Sequence, residues 1–421
     1  MKKDTKLALS AIALLTSTSA FATNGTNLIG YSAEQRGMGG AGIAITHGAE
    51  SGLVNPALIR GSEGMIGGTY FSPTVEFKNS VVGMPANGYA KSDADANIIP
   101  VVAMSHQVTE NFAWGISMFG SAGMGVDYRD QTKVGDPSQT QGMQTNLQLM
   151  KFSVPISYNT NGFSVGVAPV IQYGTLAIAY SAAGAPSGVS QDLGYGFELG
   201  AGYDMGFVSF GAIYKSAIAM EYKDQISTAT RSFGVNNGLG FGDHLDQPAE
   251  YGLGVAFNLG GNTLALDYKQ IAWGSAKGYK DFNWENQNVY SLGYEYQATS
   301  WAVRAGYNYS PSPVKEMAAG SMMGTGQYDG AVINYFNMAG FPAIIEQHFT
   351  IGGGYDFSDK IGIDIAYVYS PKATESFNTS AMTQAMAMQA GAPAAQAMGM
   401  TSSASAEHSQ YGLTADIHFK F

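Results

Sequence analysis

The chain has 421 residues, no Cys, 45% apolar and 12% aromatic residues, 13% charged residues and a net charge of −11. The lack of Cys excludes a disulfide framework or a thiolate site, and the acidic balance argues against nucleic acid as a partner. With Gly 55 and Tyr 25, the chain is too poor in charge for a soluble protein of this length.

Residues 1–22 read as a secretory signal. Lys2, Lys3 and Lys6 supply the positive region, 7–15 the apolar core, and Ala20-Phe21-Ala22 an A-x-A cleavage site. Next comes 31–61, YSAEQRGMGGAGIAITHGAESGLVNPALIRG, rich in Gly and Ala. Gly37, Gly39 and Gly42 fit G-x-G-x-x-G. No hydrophobic strand precedes them and no βαβ pattern follows, so a dinucleotide site lacks its context. Close backbone packing uses Gly because no Cβ holds chains apart. The segment therefore reads as one that packs inside something, and it ends in a rigid turn at Asn55-Pro56-Ala57.

After the signal no stretch of 18 apolar residues remains, which disfavours a membrane helix. Period-two alternation recurs instead. In 207–215, Val208, Phe210, Ala212 and Tyr214 share one face, and Ser209, Gly211 and Lys215 the other. In 361–369, Ile361, Ile363, Ile365, Tyr367 and Tyr369 oppose Gly362, Asp364 and Ala366. Similar runs near 65–77, 97–108, 112–121, 145–158, 163–180, 194–204, 247–258, 263–273, 286–297, 301–310, 347–357 and 406–421 bring the expected total to about fourteen strands, each long enough for a tilted span of about 9–11 residues. Tight turns (109–111, 159–162, 204–206, 260–262, 298–300, 358–360) alternate with long loops (78–96, 122–144, 181–193, 223–246, 274–285, 311–346, 371–405). Short periplasmic turns and long extracellular loops fit an all-β transmembrane antiparallel barrel. Pro73, Pro100, Pro155 and Pro169 fall inside expected strands and call for bulges or gaps.

GMGGAGIA followed by NPA, directly behind a signal, resembles the plug of the FadL/TodX family of outer-membrane transporters. The acidic residues often found between those motifs are replaced here by His47-Gly48-Ala49-Glu50. The resemblance implies a fourteen-stranded barrel (62–421) closed by an N-terminal plug, or hatch (23–61), with Gly37, Gly39, Gly42, Asn55, Pro56 and Ala57 as plug and gate residues. It implies inward movement of long-chain fatty acids or aromatic hydrocarbons, export through the Sec pathway and residence in the bacterial outer membrane. It also implies a kinked third strand that opens the wall, here at Gly120, Gly123 and Gly125, and a terminal Phe421 that resembles the signal for outer-membrane insertion.

Alternation turns Lys151, Lys215, Lys269 and Arg304 inward, with Glu198, Asp267, Glu295, Asp364 and Asp416. A fatty acid calls for an apolar pocket with one or two cations. Arg304 is the first candidate for its carboxylate, on a strand resembling one of the family that carries a basic residue there, with Lys215 and Lys151 behind it; taken singly, each reads first as an interior salt-bridge partner holding plug to wall. Two Met-rich stretches, 317–345 and 381–400, read as a hydrophobic capture surface, the second as a short helix broken at Gly391 and Pro393. None of the six His sits in a nucleophile or metal motif, and His106 and His348 alternate inward. The expected function is passive transport by loop capture, lumenal binding and plug-gated release. It needs no enzyme activity, cofactor or metal, and the protein acts as a monomer in contact with outer-membrane lipid and lipopolysaccharide. A general porin or an adhesin barrel is the alternative.

Overall fold

Every backbone N–H and C=O inside a bilayer needs a partner within the protein, which leaves a strand-built wall one solution, closure. The computed structural model describes residues 24–84, 90–129, 142–180, 188–232, 241–318 and 329–421; the expected signal, 1–22, and the middle of several long loops lie outside them. Fourteen strands form the wall: β1 (Glu63–Asn79), β2 (Asn97–Gln107), β3 (Phe112–Asp127), β4 (Met143–Ser153, continued by Ile156–Thr160), β5 (Phe163–Tyr180), β6 (Val189–Asp204), β7 (Val208–Lys215), β8 (Glu250–Leu259), β9 (Asn262–Ile271), β10 (Gln287–Gln297), β11 (Trp301–Tyr309), β12 (Gln347–Ser358), β13 (Ile361–Asn378) and β14 (Ser403–Lys420). Each is antiparallel to its neighbours, and β1 pairs with β14 from Glu63–Lys420 to Asn79–Ala404, so the ring closes.

Alternation sets the two faces. Tyr411, Leu413 and Ile417 point outward, while Gly412, Thr414 and Asp416 are buried on the lumen side. His106 breaks the expectation made for it: it shares the outward face of β2 with Ile98 and Met104 and lies edge-on to Trp114. Strands β3, β13 and β14 run further than the alternation suggests. Outside the apolar band the outward residues turn polar, as with Lys372, Thr374 and Ser376 on β13, so the apolar signal stops before the strand does. Of the four prolines, Pro73, Pro100 and Pro169 stay in register, facing Gln410, Gly68 and Phe197. Pro155 divides β4, where Gly115 N–H donates instead to the Pro155 carbonyl.

One seam departs from a regular wall. The β2–β3 ladder ends at Val101–Phe119. On β3 the register against β4 slips between Gly120 and Ala122, leaving Ser121 extra, as in a β-bulge. Beyond the slip both faces of β3 are buried, and its free edge meets the amino-terminal segment. Leu28 N–H donates to the Ser121 carbonyl (3.4 Å), and Gly123 N–H to that of Thr26 (3.0 Å).

Two pieces of chain lie inside the ring. Residues 24–61 carry a short helix, α1 (Ala33–Gly37), capped by Ser32, and two 3-10 turns, Gly48–Leu53 and Pro56–Leu58. Towards the long loops lies a large apolar cluster. It receives α2 (Ile226–Ser232) and α3 (Asp329–Gly340). Ala331, Val332, Tyr335, Phe336, Met338 and Ala339 of α3 are all buried, as are Asn334 and Asn337, whose amides donate to the carbonyls of Met317, Asn378 and Phe282. The stretch 317–345 was expected to be exposed; its described part from 330 onward is core instead, and 319–328 lie outside the described residues. The other Met-rich stretch forms α4 (Ser380–Gln389) and α5 (Ala394–Ala397), divided at Gly391 (φ 90°) and Pro393, with Met388 and Met398 exposed and Met382 buried.

Candidate functional site

Glycines let residues 24–61 seat against the wall. A Cβ on Gly39 (φ 65°) would lie 2.7 Å from Tyr307 N, and one on wall residue Gly306 2.2 Å from Gly39 N. Gly37 meets Gly352 in the same way, and Gly293 faces Met38. Directional bonds then fix the register. Thr350 Oγ1 accepts from Gly39 N–H and donates to the Gly37 carbonyl, and Asp267 Oδ2 accepts from Gly42 and Ile43 N–H (2.7 and 2.9 Å). The turn at Asn55-Pro56-Ala57 lies over Gly166 and Gly200. Asn55 Oδ1 caps Ala57 N–H while Nδ2 donates to the carbonyls of Ile43 and Ala201.

The two ends of this segment face different chemistry. At the short-turn end each nitrogen of Arg304 meets a carboxylate. Its Nη2 donates to Glu34 Oε1 (2.5 Å), Nε to Glu295 Oε2 (2.6 Å) and Nη1 to Asp364 Oδ1 (2.6 Å). Asp364 also holds His418, and Glu34 Oε2 lies 2.7 Å from His47 Nδ1. Arg304, the first candidate for a ligand carboxylate, thus has a carboxylate on each of its three nitrogens and joins segment to wall through Glu34. Glu50, buried beside Glu34, has its carboxyl pushed well above the usual range, chiefly by burial and then by the Glu34 charge. Arg60 donates to Ser164 Oγ (3.0 Å).

Towards the long loops, Lys151 and Lys215 lie 3.4 and 3.7 Å from the same oxygen of Glu198. Lys215 also donates to the Leu53 carbonyl and sits 5.4 Å above the Tyr31 ring, which packs on Phe119 (4.6 Å). Glu250 accepts from Asn27 Nδ2 (2.9 Å). So Lys151 and Lys215 are together, and Arg304 stands apart from them.

Arg36 was not singled out from the sequence. It is 1% exposed on α1, against Gly412 of β14, and its Nε and Nη2 have no hydrogen-bond partner. The nearby Asp416 carboxylate accepts from Ala33 N–H instead. Burial, its largest influence, lowers the Arg36 pKa to about 10, which keeps the group charged at neutral pH. Unpartnered polar atoms sit on the adjoining wall: Gln410 Oε1, His348 Nδ1 and Ser370 Oγ. The signal that could have found Arg36 is its rarity, a full charge in a stretch of Gly and Ala.

Above lies the apolar cluster. Trp273, Tyr279 and Trp284 pack mutually at 4.5–5.3 Å, and Phe282 stacks on Phe336 (5.3 Å). A smaller void there is lined by Met124, Ile226, Leu245, Tyr279, Phe282 and Phe341.

Comparison with known proteins agrees with this architecture. A FadL homologue from Pseudomonas aeruginosa superposes with a TM-score of 0.68 at 14% identity, over 94% of this chain and 100% of that one. The Pseudomonas putida toluene transporter TodX gives 0.61 at 16% identity, over 95% and 100%. The Ralstonia pickettii toluene transporter TbuX gives 0.59 at 16%, over 94% and 99%. No curated protein matches the chain. The model of the outer membrane transport protein family (OMPP1/FadL/TodX) matches residues 9–322. By that match the chain belongs to the OMPP1/FadL/TodX family of outer-membrane β-barrel transport proteins.

Proposed function

We propose that this barrel carries long-chain fatty acids inward across the outer membrane. The long loops collect the molecule, the apolar lumen takes its tail, and residues 24–61 act as the hatch whose shift releases it. Burying the tail supplies about 25 cal/mol per Å² of apolar surface. Release sideways through the interrupted β2–β3 seam would use Gly120, Gly123 and Gly125 to bend β3. A monomer suffices, with lipid and lipopolysaccharide around its outer face.

Arg36 is the observation that carries the choice of an acid. The described residues include four buried cations, Arg36, Lys151, Lys215 and Arg304. The other three have carboxylates within 4.0 Å; Arg36 has none. Its open nitrogens, Nε and Nη2, share one edge of the guanidinium, the edge that grips a carboxylate with two parallel bonds. Lys151 and Lys215 share Glu198, with Glu250 opposite Lys215, and would hold that side of the lumen together. Arg304 would then contribute by holding the hatch.

A second reading, an aromatic hydrocarbon, is favoured by the ring cluster of Trp273, Tyr279 and Trp284 and by the toluene transporters among the similar structures. Binding of oleate, oleyl alcohol and toluene to wild type and Arg36→Gln separates the two. Losing a charge-assisted bond of about 1.5–3 kcal/mol predicts a roughly ten- to hundredfold drop for oleate and little change for the alcohol. Equal losses for oleate and alcohol, or toluene binding more tightly than either, would remove the fatty-acid reading.

A further inference from the structure

At the short-turn end, a cavity of about 270 Å³ lies between the amino-terminal segment and the wall. Acids dominate its lining: Glu34 and Glu50 from the segment, Glu295, Asp364 and Asp416 from the wall. Arg304 neutralises part of this charge but takes only one oxygen from each of Glu34 and Glu295. Of the second oxygens, Glu295 Oε1 takes nothing from Arg304, and Glu34 Oε2 lies 2.7 Å from His47 Nδ1, a contact that a cation held by the two groups would replace. One ligating atom from each of Glu34, His47 and Glu295 lies within 4.8 Å of the other two. Two ligands on one small cation, at bond lengths of about 2.0–2.2 Å, can be about 4.4 Å apart at most. Around a tetrahedral ion the three would stand about 3.3–3.6 Å apart, a spacing that side-chain rotations of about an ångström can reach.

Unpartnered atoms point the same way. The His47 side chain is 7% exposed, yet its Nε2 has no partner. Glu50 Oε1 and Asp416 Oδ1, which border the same cavity, are buried and also unpartnered. Buried groups in this condition cost free energy unless something occupies the space between them.

We propose that Glu34, His47 and Glu295 form a binding site for a divalent cation of the zinc or manganese class. One imidazole and two carboxylates suit such an ion better than calcium or magnesium, which prefer all-oxygen sites. Arg304 holds the far oxygen of each ligating carboxylate, the usual task of an outer-shell partner. Water on the ion supplies donors to Glu50 Oε1 and Asp416 Oδ1. Two ligands come from the segment and one from the wall, so the ion ties one to the other. Binding itself is independent of the cargo. Only its consequence, a hatch harder to shift while the metal is present, rests on the transport reading.

The test uses the full barrel, purified without a polyhistidine tag and stripped with EDTA. Zinc chloride and manganese chloride are titrated by calorimetry, with magnesium chloride for comparison. One zinc per chain is expected, with at least tenfold weaker binding in His47→Ala and unchanged binding in His244→Ala, a partly exposed loop His. Zinc-edge X-ray absorption on wild type, which needs no variant, should show a single imidazole among oxygen ligands. Undiminished binding in His47→Ala, loss only in His418→Ala, two or more imidazoles on the metal, or no saturable site overturns the assignment. Uptake assays are separate: failure of fatty-acid transport would leave the metal result standing.

Discussion

Two pieces of chain enter the lumen from opposite ends, and they are held by opposite means. Residues 24–61 are pinned by directional contacts: glycines at backbone distance, the Asp267 bonds and the Glu34–Arg304 pair. Helix α3 and the residues after it sit in a broad apolar contact with Phe282, Phe377 and their neighbours, joined at a few points by hydrogen bonds from Asn334 and Asn337 to the carbonyls of Met317, Asn378 and Phe282. Directional contacts permit one register and break together. Apolar packing permits many arrangements and yields by degrees. A fixed lower closure and an adaptable upper one suit a path that must admit apolar cargo from one side without leaking ions through the other.

The largest test of this contrast removes the lower piece. Deletion of 31–61 should leave an inserted barrel, because the wall closes through β1 and β14 alone. Its conductance in a planar bilayer should rise to that of an open pore. A deleted barrel conducting no more than wild type would mean that the upper piece is the ion seal.

Arg304→Ala is the next test. Removing one partner of a buried ion pair costs about 3–5 kcal/mol, here with three carboxylates left behind. The barrel should melt earlier, and oleate and oleyl alcohol binding should weaken alike. Selective loss of oleate would return Arg304 to the role of carboxylate clamp.

Phe336→Ala takes away the ring stacked on Phe282. It removes about 1.5–3 kcal/mol of burial from a region joined to the wall by packing. Residues 329–345 should become more open to protease in whole cells while the global melt barely moves. A lowered global melt would show the upper piece to be as cooperative as the lower.

The smallest effect belongs to the exposed group of Lys372, Glu76 and Glu407 above the apolar band. Lys372→Ala should leave melting, conductance and binding at wild-type values.

The wall was largely legible in the sequence because period-two alternation repeats fourteen times and the turns punctuate it. The glycine-rich segment could be recognised as something enclosed, since few other settings call for Gly37, Gly39 and Gly42 so close together. Its partners could not. Gly293, Gly306 and Gly352 look like ordinary strand glycines until the fold brings them opposite Met38 and Gly37–Gly39. Alternation assigned Arg304 to the lumen but carried no information about Glu34, which is 270 residues away. The Met-rich stretch at 317–345 misled because an apolar loop and an apolar helix folded inward have the same composition.

The bond from Ala33 N–H to Asp416 spans 383 residues, almost the whole chain. Residues 24–61 precede the whole wall in the chain, yet several of their partners lie on its last strands, β11 to β14. Contacts of such sequence separation form late, after the intervening chain is organised. Until β14 joins β1, the segment has no Asp416 to receive Ala33. On the proposed hatch role, sealing would record that assembly of the ring is finished, and a chain stalled before its last strand would stay unsealed.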